Sequence, residues 1–386
     1  MRDAVIVAAV RTPIGKRNGA LSAIHSAVLS AHVLEALVTR AEIEPALIDD
    51  VVWGCVGQVG DQAFNIGRAA VLSAGWPDTV PATTVDRQCG SSQQTVHFAA
   101  AGVISGQYEF VVAGGVESMT RVPMGATAAS ALPGACNEPF GPAFFERYGA
   151  RPNQGLGAEM VASRWGLSRA QLDEFSLESH SRAARAQDGG AFEDQIAPIS
   201  VEGGTFEHDE GIRRNGSLES LGALRAAFDA DKGVVTAGNS SQISDGAAAM
   251  LITSTETAAA HGLTPIARIH TAVIAADDPV IMLTAPIPAT KLALKRSGLT
   301  IDDIGAFEVN EAFASVPLAW LAETGADPAA VNPNGGAIAL GHPLGGSGAR
   351  LMTTLVDHMR VEGIRYGLQT MCEGGGMANA TVLELV

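Results

Sequence analysis

The sequence predicts an α/β fold made of two related halves, each a mixed sheet layered with helices, plus an inserted loop domain. Three observations carry this. Strand-like runs alternate with helix-like runs, one order of motifs recurs near the two ends, and a proline- and glycine-rich stretch interrupts the pattern between them.

The alternation is read in order. Ala4–Val10 reads as a buried strand, followed by a turn at Arg11-Thr12-Pro13-Ile14-Gly15. Ser26–Ala41 has helical spacing of apolar residues, Asp50–Gly57 is again strand-like, and Ile66–Ala74 is helical. Such alternation implies parallel strands joined by crossover helices. From about 118 to 242 the character changes, with Pro123, Pro133, Pro139, Pro142 and Pro152 and a charged segment Glu202–Arg214. Two helix-like pieces lie inside it, Ala158–Trp165 and Arg169–Ala186, the second opened by Ser168 as N-cap. The expected organisation is a first half at 1–117 with 243–264, an inserted loop domain at 118–242, and a second half at 265–386.

The repeated order is specific. Cys89-Gly90-Ser91-Ser92 opens a helical run ending near Gly106, then come a strand at Phe110–Ala113 and a Gly-rich bend from Gly114 to Met119. Later, His342 with Gly345-Gly346-Ser347-Gly348 precedes a helical run at Arg350–Glu362, a strand at Gly367–Met371, and Cys372-Glu373-Gly374-Gly375-Gly376-Met377. A duplicated α/β unit produces this.

Composition narrows the function. The 386 residues are 47% hydrophobic with 44 glycines but only 5% aromatic, so the core rests on Ala, Val, Leu and Ile, a balance suited to helices on sheets. A formal charge of −16 repels phosphate backbones and argues against a nucleic-acid partner. The four cysteines, at 55, 89, 136 and 372, form no CxxC pair, so reduced thiols in a cytoplasmic protein are expected. No apolar run approaches the roughly 20 residues of a spanning helix. No Cys/His cluster has metal-ligand spacing, so no metal is expected.

Four positions could carry chemistry, each with a blander structural reading. Cys89, at the mouth of a helix, would feel the positive end of its dipole, which favours thiolate. His342 is held in a turn by Pro343, within glycines that match neither a phosphate loop nor a dinucleotide fingerprint. Cys372 ends a strand and meets Gly374, whose N–H suits an oxyanion hole. Asn310, in Asn310-Glu311-Ala312-Phe313, ends the strand Ala306–Val309, where α/β folds place ligands, and reads equally as an N-cap.

Taken together, Gln88-Cys89-Gly90-Ser91, Asn310-Glu311-Ala312-Phe313, Gly341-His342-Pro343 and Cys372-Glu373-Gly374-Gly375-Gly376 closely resemble the thiolase family. So do Arg11-Thr12-Pro13-Ile14-Gly15-Lys16 and the run from Gly238-Asn239-Ser240-Ser241 through Asp245-Gly246-Ala247-Ala248-Ala249, in family order from about residue 3 to 386. The resemblance implies the thiolase fold and a coenzyme-A-dependent acyltransferase. Cys89 would be the acylated nucleophile, His342 its activating base and Cys372 the acid and base at the leaving carbon. His342 with an Asn310-held water, and the N–H groups of Cys89 and Gly374, would form two oxyanion holes. It further implies Ser241 along the pantetheine arm, Ala312 and Phe313 near its reactive end, and Arg213 or Arg214 at the nucleotide phosphates, Arg213 being equally readable as a solvated loop residue. Coenzyme A enters as co-substrate with no permanently bound cofactor, and family members are homodimers or homotetramers.

Two departures from the family pattern matter. Acetoacetyl-CoA-specific members carry His-Met-Gly where this chain has Asn153-Gln154-Gly155, which favours a degradative 3-ketoacyl-CoA thiolase over a biosynthetic, acetoacetyl-CoA-specific one. The serine- and glutamine-rich runs at Gln88–Gln94 and Ser240–Asp245 resemble thiolases of bulky acyl chains, sterol side chains included. Glu373 stands where many relatives have an apolar residue, and strand alternation is expected to point it away from the site. A ketosynthase would have a second histidine or an asparagine in place of Cys372. A non-catalytic acyl-CoA carrier of this shape would have lost one of Cys89, His342 or Cys372.

Overall fold

The computed structural model of the chain describes residues 2–129 and 138–386; Pro133 and Cys136 lie outside the described residues. The first half runs β1 (Val5–Arg11), β2 (Gly15–Lys16), α1 (Ser26–Ala41), β3 (Asp50–Gly54), α2 (Ile66–Ser73), β4 (Ala82–Val85), α3 (Ser91–Ser105) and β5 (Val111–Ser118). An inserted stretch follows, with α4 (Ala126–Ala129), α5 (Pro142–Tyr148), α6 (Gln154–Arg164), α7 (Arg169–Asp188), a small hairpin of β6 (Ile199–Val201) and β7 (Gly204–Phe206), and α8 (Leu218–Gly222). The chain continues with β8 (Ser244–Thr253), α9 (Thr255–Ala260), β9 (Ala267–Ala276), α10 (Pro286–Ser297), β10 (Ala306–Val309), α11 (Ser315–Thr324), α12 (Ala337–Leu340), α13 (Leu344–Glu362), β11 (Tyr366–Glu373) and β12 (Met377–Leu385).

Local sequence explains several of these elements. In α1 the apolar residues Leu29, Val33, Leu34 and Leu37 recur on one face and are fully buried, and the helix ends where Glu42 turns left-handed at φ 51°. Ser168 closes a capping box with Gln171 at the start of α7, satisfying donors that the first turn leaves free. Gly106 ends α3 at φ 81°, a conformation glycine adopts without a Cβ penalty.

The sheet shows the duplication. In the first half β3 lies parallel to β4 and β5, while β8 runs antiparallel to β5 and β1. In the second half β10 is parallel to β11, and β12 runs antiparallel to β11 and β9. Thus β9, β10, β11 and β12 repeat β1, β3, β5 and β8, and the place of β4 is taken by a single parallel bridge, Phe307 to Val331. The two sheets join where β1 meets β9 through Val5↔Arg268 and Ile6↔Ala267.

Helices fill the space in layers. α1 and α2 cover the outer face of the first sheet, with Trp53, Val71 and Leu37 in one core. α10 and α11 cover the second, where Phe307 and Trp320 meet edge-on at 5.3 Å. Between the sheets lie α3 and α13, packed through Val96, Val103, Met352 and Leu355. These apolar surfaces, removed from water on both sides, are the main driving force for the layered arrangement.

Two expectations are corrected. Gly114 to Ser118 is no bend: β5 continues, fully buried, to Ser118. α13 begins at Leu344, six residues before Arg350, with Gly345, Gly346 and Gly348 inside its first turns. In both cases glycine serves close approach. A Cβ on Gly115 would lie 2.2 Å from the Gly345 carbonyl oxygen, and one on Gly348 would lie 2.3 Å from the Gln93 amide nitrogen.

The insertion is pinned by a buried ion pair. Arg11, at the end of β1, binds both Asp209 carboxylate oxygens at 2.8 and 2.9 Å and Gln195 Oε1 at 2.8 Å, with both charged side chains fully buried. Asp209 also accepts the Ile14 N–H at 2.8 Å. Removing one partner strands the other charge in a low-dielectric interior. Asp209→Ala is therefore expected to lower stability by about 3–5 kcal/mol. Chemical denaturation would measure it, and a loss below about 1 kcal/mol would refute the pin.

Candidate active site

Cys89 sits on a tight elbow between β4 and α3. Gln88 adopts φ 48°, left-handed for a non-glycine residue. The Gly90 N–H donates to Arg87 O at 3.1 Å and the Ser91 N–H to Gln88 O at 3.0 Å. Ser91 Oγ accepts from the Arg87 N–H at 2.9 Å and donates to Gln88 O at 2.6 Å. The elbow presents Cys89 just before the first turn of α3.

His342 arrives from α12 through Gly341, whose φ is 101° and whose Cβ would lie 2.4 Å from Ser244 Oγ. The His342 N–H donates to that same hydroxyl at 3.1 Å. On the ring, Nδ1 lies 2.6 Å from Ser347 Oγ, and Ser347 donates its own proton to Pro343 O at 2.8 Å. With that proton committed, Ser347 must accept from Nδ1–H, so Nε2 carries the free lone pair. Asn310 Nδ2 approaches Nε2 at 3.4 Å. Asn310 is set in place by its N–H donating to Thr370 O at 3.1 Å, next to the parallel pairing of β10 and β11; it caps no helix.

Cys372 lies on β11, which runs on through Glu373 before Gly375 and Gly376, at φ 85° and 77°, turn the chain into β12. Cys89, His342, Cys372 and Gly374 line one cavity of ≈ 190 Å³, walled by Met119, Leu283 and Leu344. Ser241, Ala312 and Phe313 line it too, with the Ser241 N–H donating to Ala312 O at 2.9 Å. Phe228 stands edge-on to Phe313 at 6.0 Å, in room left by Gly155, where a Cβ would lie 2.1 Å from its ring.

Arg213 lies elsewhere. It lines a separate polar depression with Arg185, Arg214 and Asp188, its N–H donating to His180 Nδ1 at 3.0 Å. Arg214 is committed to Asp188 at 2.7 and 2.8 Å on the surface. Among the described residues, no group of three His, Cys, Asp or Glu side chains is placed to hold a metal ion, and no helix is long and apolar enough to cross a membrane.

Burial dominates the electrostatics. It pushes the Cys89 thiol up to about 12, with Glu373, Glu117 and Asp86, when ionised, adding to the effect. Burial, then the Arg350 charge, pulls His342 down to about 3. Cys372 is likewise held well above the ordinary thiol range by burial, then by Cys89 and Glu373. The helix start at Cys89 does not prevail against burial, so the resting pair is neutral thiol and neutral imidazole. A proton must move from sulfur to His342 Nε2 as sulfur attacks.

Several site residues were not assigned from sequence. Ser347 was visible only as part of a glycine-rich run, and its role depends on the turn at Pro343. Met119, Met124, Gln154, Phe228 and Leu283 reach the cavity from the insertion and the β9–α10 loop. Glu373 is corrected outright: it lines the cavity, fully buried, because the Cys89 elbow wraps the end of β11 and brings Gly90 against it.

The sequence models of the thiolase N-terminal domain and the thiolase C-terminal domain match residues 4–256 and 263–385. The chain is similar to the steroid 3-ketoacyl-CoA thiolase FadA6 of Mycobacterium tuberculosis, 49% identical over 387 residues that span all of this chain and 94% of the relative. It is also similar to the 3-ketoacyl-CoA thiolases of Pectobacterium carotovorum, at 45%, and Escherichia coli, at 44%, each across the full length of both proteins. With both domains matched in order and the elbow, histidine turn and second cysteine facing one cavity, the chain belongs to the thiolase family.

Proposed function

We propose that the protein is a degradative 3-ketoacyl-CoA thiolase, cleaving a 3-ketoacyl-CoA with CoA to acetyl-CoA and an acyl-CoA shortened by two carbons. The observation that carries this is the convergence of Cys89, Cys372 and the correctly tautomeric His342 on one apolar cavity.

The geometry fits two covalent half-reactions. Cys89 sulfur attacks the 3-keto carbon while His342 Nε2 takes its proton. The C2–C3 bond breaks, its electron pair becomes the enolate of acetyl-CoA, and the Cys372 thiol protonates C2. The acyl group remains on Cys89 as a thioester, close in energy to the CoA thioester it will become. The His342 imidazolium returns its proton to the Cys372 thiolate. The neutral imidazole then takes the proton of an incoming CoA thiol, whose sulfur displaces Cys89, and passes it to the departing Cys89 thiolate. In reverse the same steps condense two acyl-CoA molecules. The Cys89 N–H and that of Gly374 would hold the tetrahedral oxyanion, each such donor lowering the barrier by about 3–4 kcal/mol. Asn310 Oδ1 is buried without a protein donor, which suits the water that would stabilise the enolate oxygen with His342.

Ser241, Ala312 and Phe313 would line the pantetheine arm. Arg213, in its polar depression, would reach the nucleotide phosphates only if CoA extends over α7. A bulky acyl group is supported by the apolar wall of Met119, Met124 and Leu283 and by Gln154 at the cavity. The reaction takes place in the cytoplasm, in a homo-oligomer. The open edge of β4 and the fully exposed Phe64 beside it in the first half support such self-association.

Thiolysis of a series of 3-ketoacyl-CoAs, from acetoacetyl to long and sterol-like chains, tests the reading. Cys89→Ala is expected to lose at least about 10³-fold in turnover and all acyl-enzyme. Wild-type activity should rise with acyl bulk. Activity confined to acetoacetyl-CoA would overturn the substrate assignment, and an acyl-enzyme surviving in Cys89→Ala would overturn the nucleophile.

Ser347→Ala removes the acceptor that fixes the imidazole tautomer. Acylation should slow by about 10²-fold, with CoA binding unchanged; single-turnover kinetics that match wild type would refute this role.

A further inference from the structure

Glu373 performs no step in the reaction above, yet it is fully buried beside both cysteines. Neither of its carboxyl oxygens closes a hydrogen bond, although the Asn379 backbone N–H lies near enough to act on it, and among the described residues no cation lies within ion-pair distance. Arg87, whose charge acts on it through space, directs one guanidinium nitrogen at Met377 Sδ, 3.7 Å away. A second orphan faces the same spot. Asn379 commits its amide N–H groups to Gln94 Oε1 at 3.1 Å and His97 Nδ1 at 3.3 Å, leaving Asn379 Oδ1 buried without a partner. A Cβ on Gly90 would lie 1.9 Å from Glu373 Oε1 and 2.4 Å from Asn379 Oδ1, so both oxygens crowd one point under the nucleophile elbow. With the Asn379 amide N–H groups turned to Gln94 and His97, two acceptors so placed repel unless one bears a proton, and only the carboxyl group can.

The geometry points to Glu373 as a positioning residue that works as a neutral acid: its O–H donates to Asn379 Oδ1 and braces the elbow at Gly90, and its ionisation turns down both cysteines. This rests on the assignment of Cys89 and Cys372 as the reacting thiols.

The other groups facing it do not supply a competing switch. Around Cys89 and Glu373 the elbow contributes Arg87 and Asp86, the latter accepting the Gln88 N–H at 2.7 Å, while α3 contributes His97, β5 Glu117 and β11 Cys372. β12 contributes only the uncharged Met377 and Asn379. His97 is held neutral, down at about 3, by burial and Arg87. Glu117 is tied to the N–H groups of Val56, Gly57 and Gly345 and to the Gln62 amide. Burial raises Glu373 to about 8, against the pull of Arg87 and of the Asn379 backbone N–H. Below that pH the acid is neutral. Above it, a negative charge beside Cys89 opposes thiolate formation, so thiol reactivity should gain less with pH than a thiol ordinarily does.

The test is the rate of Cys89 alkylation by iodoacetamide, read by peptide mass spectrometry, for wild type and Glu373→Gln from pH 6 to 9. This readout needs a thiol at 89 but no catalysis, so it stands apart from any failure of the thiolase assignment. Glutamine can donate to Asn379 Oδ1 but cannot ionise. The ratio of variant to wild-type rate is expected to grow about tenfold across the range, one pK unit of coupling. A second readout is the infrared band of a protonated carboxyl group. Because burial also raises Glu308 to about 8, the band is read as the difference between wild type and Glu373→Gln, which should be present at pH 7 and fade as the pH rises to 9. A pH-independent ratio, or no such band at pH 7, would overturn the proposal; the latter would mean that the Asn379 amide is turned over and donates to an ionised Glu373.

Discussion

Everything at the site depends on how closely the N-terminal ends of α3 and α13 approach the backbone of the first sheet and each other. Gly348 leaves room for the Gln93 amide, and Gly345 sits where a Cβ would lie 2.6 Å from Cys55 Cα and from the Val116 carbonyl oxygen. The Glu117 carboxylate accepts the Gly345 N–H at 2.8 Å together with the N–H groups of Val56 and Gly57, so one side chain ties the start of α13 to the loop after β3. A single added methyl group at these positions would drive the helices apart and separate the cysteine elbow from the histidine turn.

That proximity also sets the chemistry. Packing helix ends against backbone excludes water, and exclusion of water keeps the thiol and imidazole uncharged at rest. Neutral partners in a dry cavity suit a reaction whose charge appears only when substrate arrives. The fixed donors are then worth more than they would be in water. Ser347 contributes without touching substrate, by holding the imidazole proton on the nitrogen that faces away from the cavity.

The insertion completes the cavity without belonging to either repeat. Arg11 and Asp209 anchor it to the end of β1, and Glu159 on α6 accepts the N–H groups of Val234 and Val235 at 2.9 and 3.0 Å, fixing the strand-like return to Ser240 and Ser241. Phe228 and Met124 are thereby brought to the mouth of a pocket whose floor comes from the two halves.

Much was legible in the sequence because it is a local matter. The periodicity of Ser26–Ala41 and the Ser168 cap specify helices by contacts within a turn or two, and the structure places α1 and α7 there. The strand at Ala306–Val309 and the order of the duplicated motifs were equally readable, and so were the chemically distinctive residues Cys89, His342, Asn310 and Cys372. Glycine was the ambiguous letter. Gly114, Gly115, Gly345, Gly346 and Gly348 look like bends to a reader of neighbours, but they lie inside a strand and a helix because distant backbone occupies the space of their missing side chains. The same holds for Glu373, which alternation along one strand sends away from the site and which the elbow at Gly90, 283 residues earlier, encloses. The tautomer of His342, the suppression of the Cys89 thiolate and the membership of Met124, Phe228 and Leu283 in the pocket were likewise decided only by tertiary structure. The sequence determined which residues could react and which segments would be helix or strand, because those follow from side-chain chemistry and short-range periodicity. The fold alone decided their protonation, their partners and the shape of the cavity, because these depend on which distant groups exclude water from them.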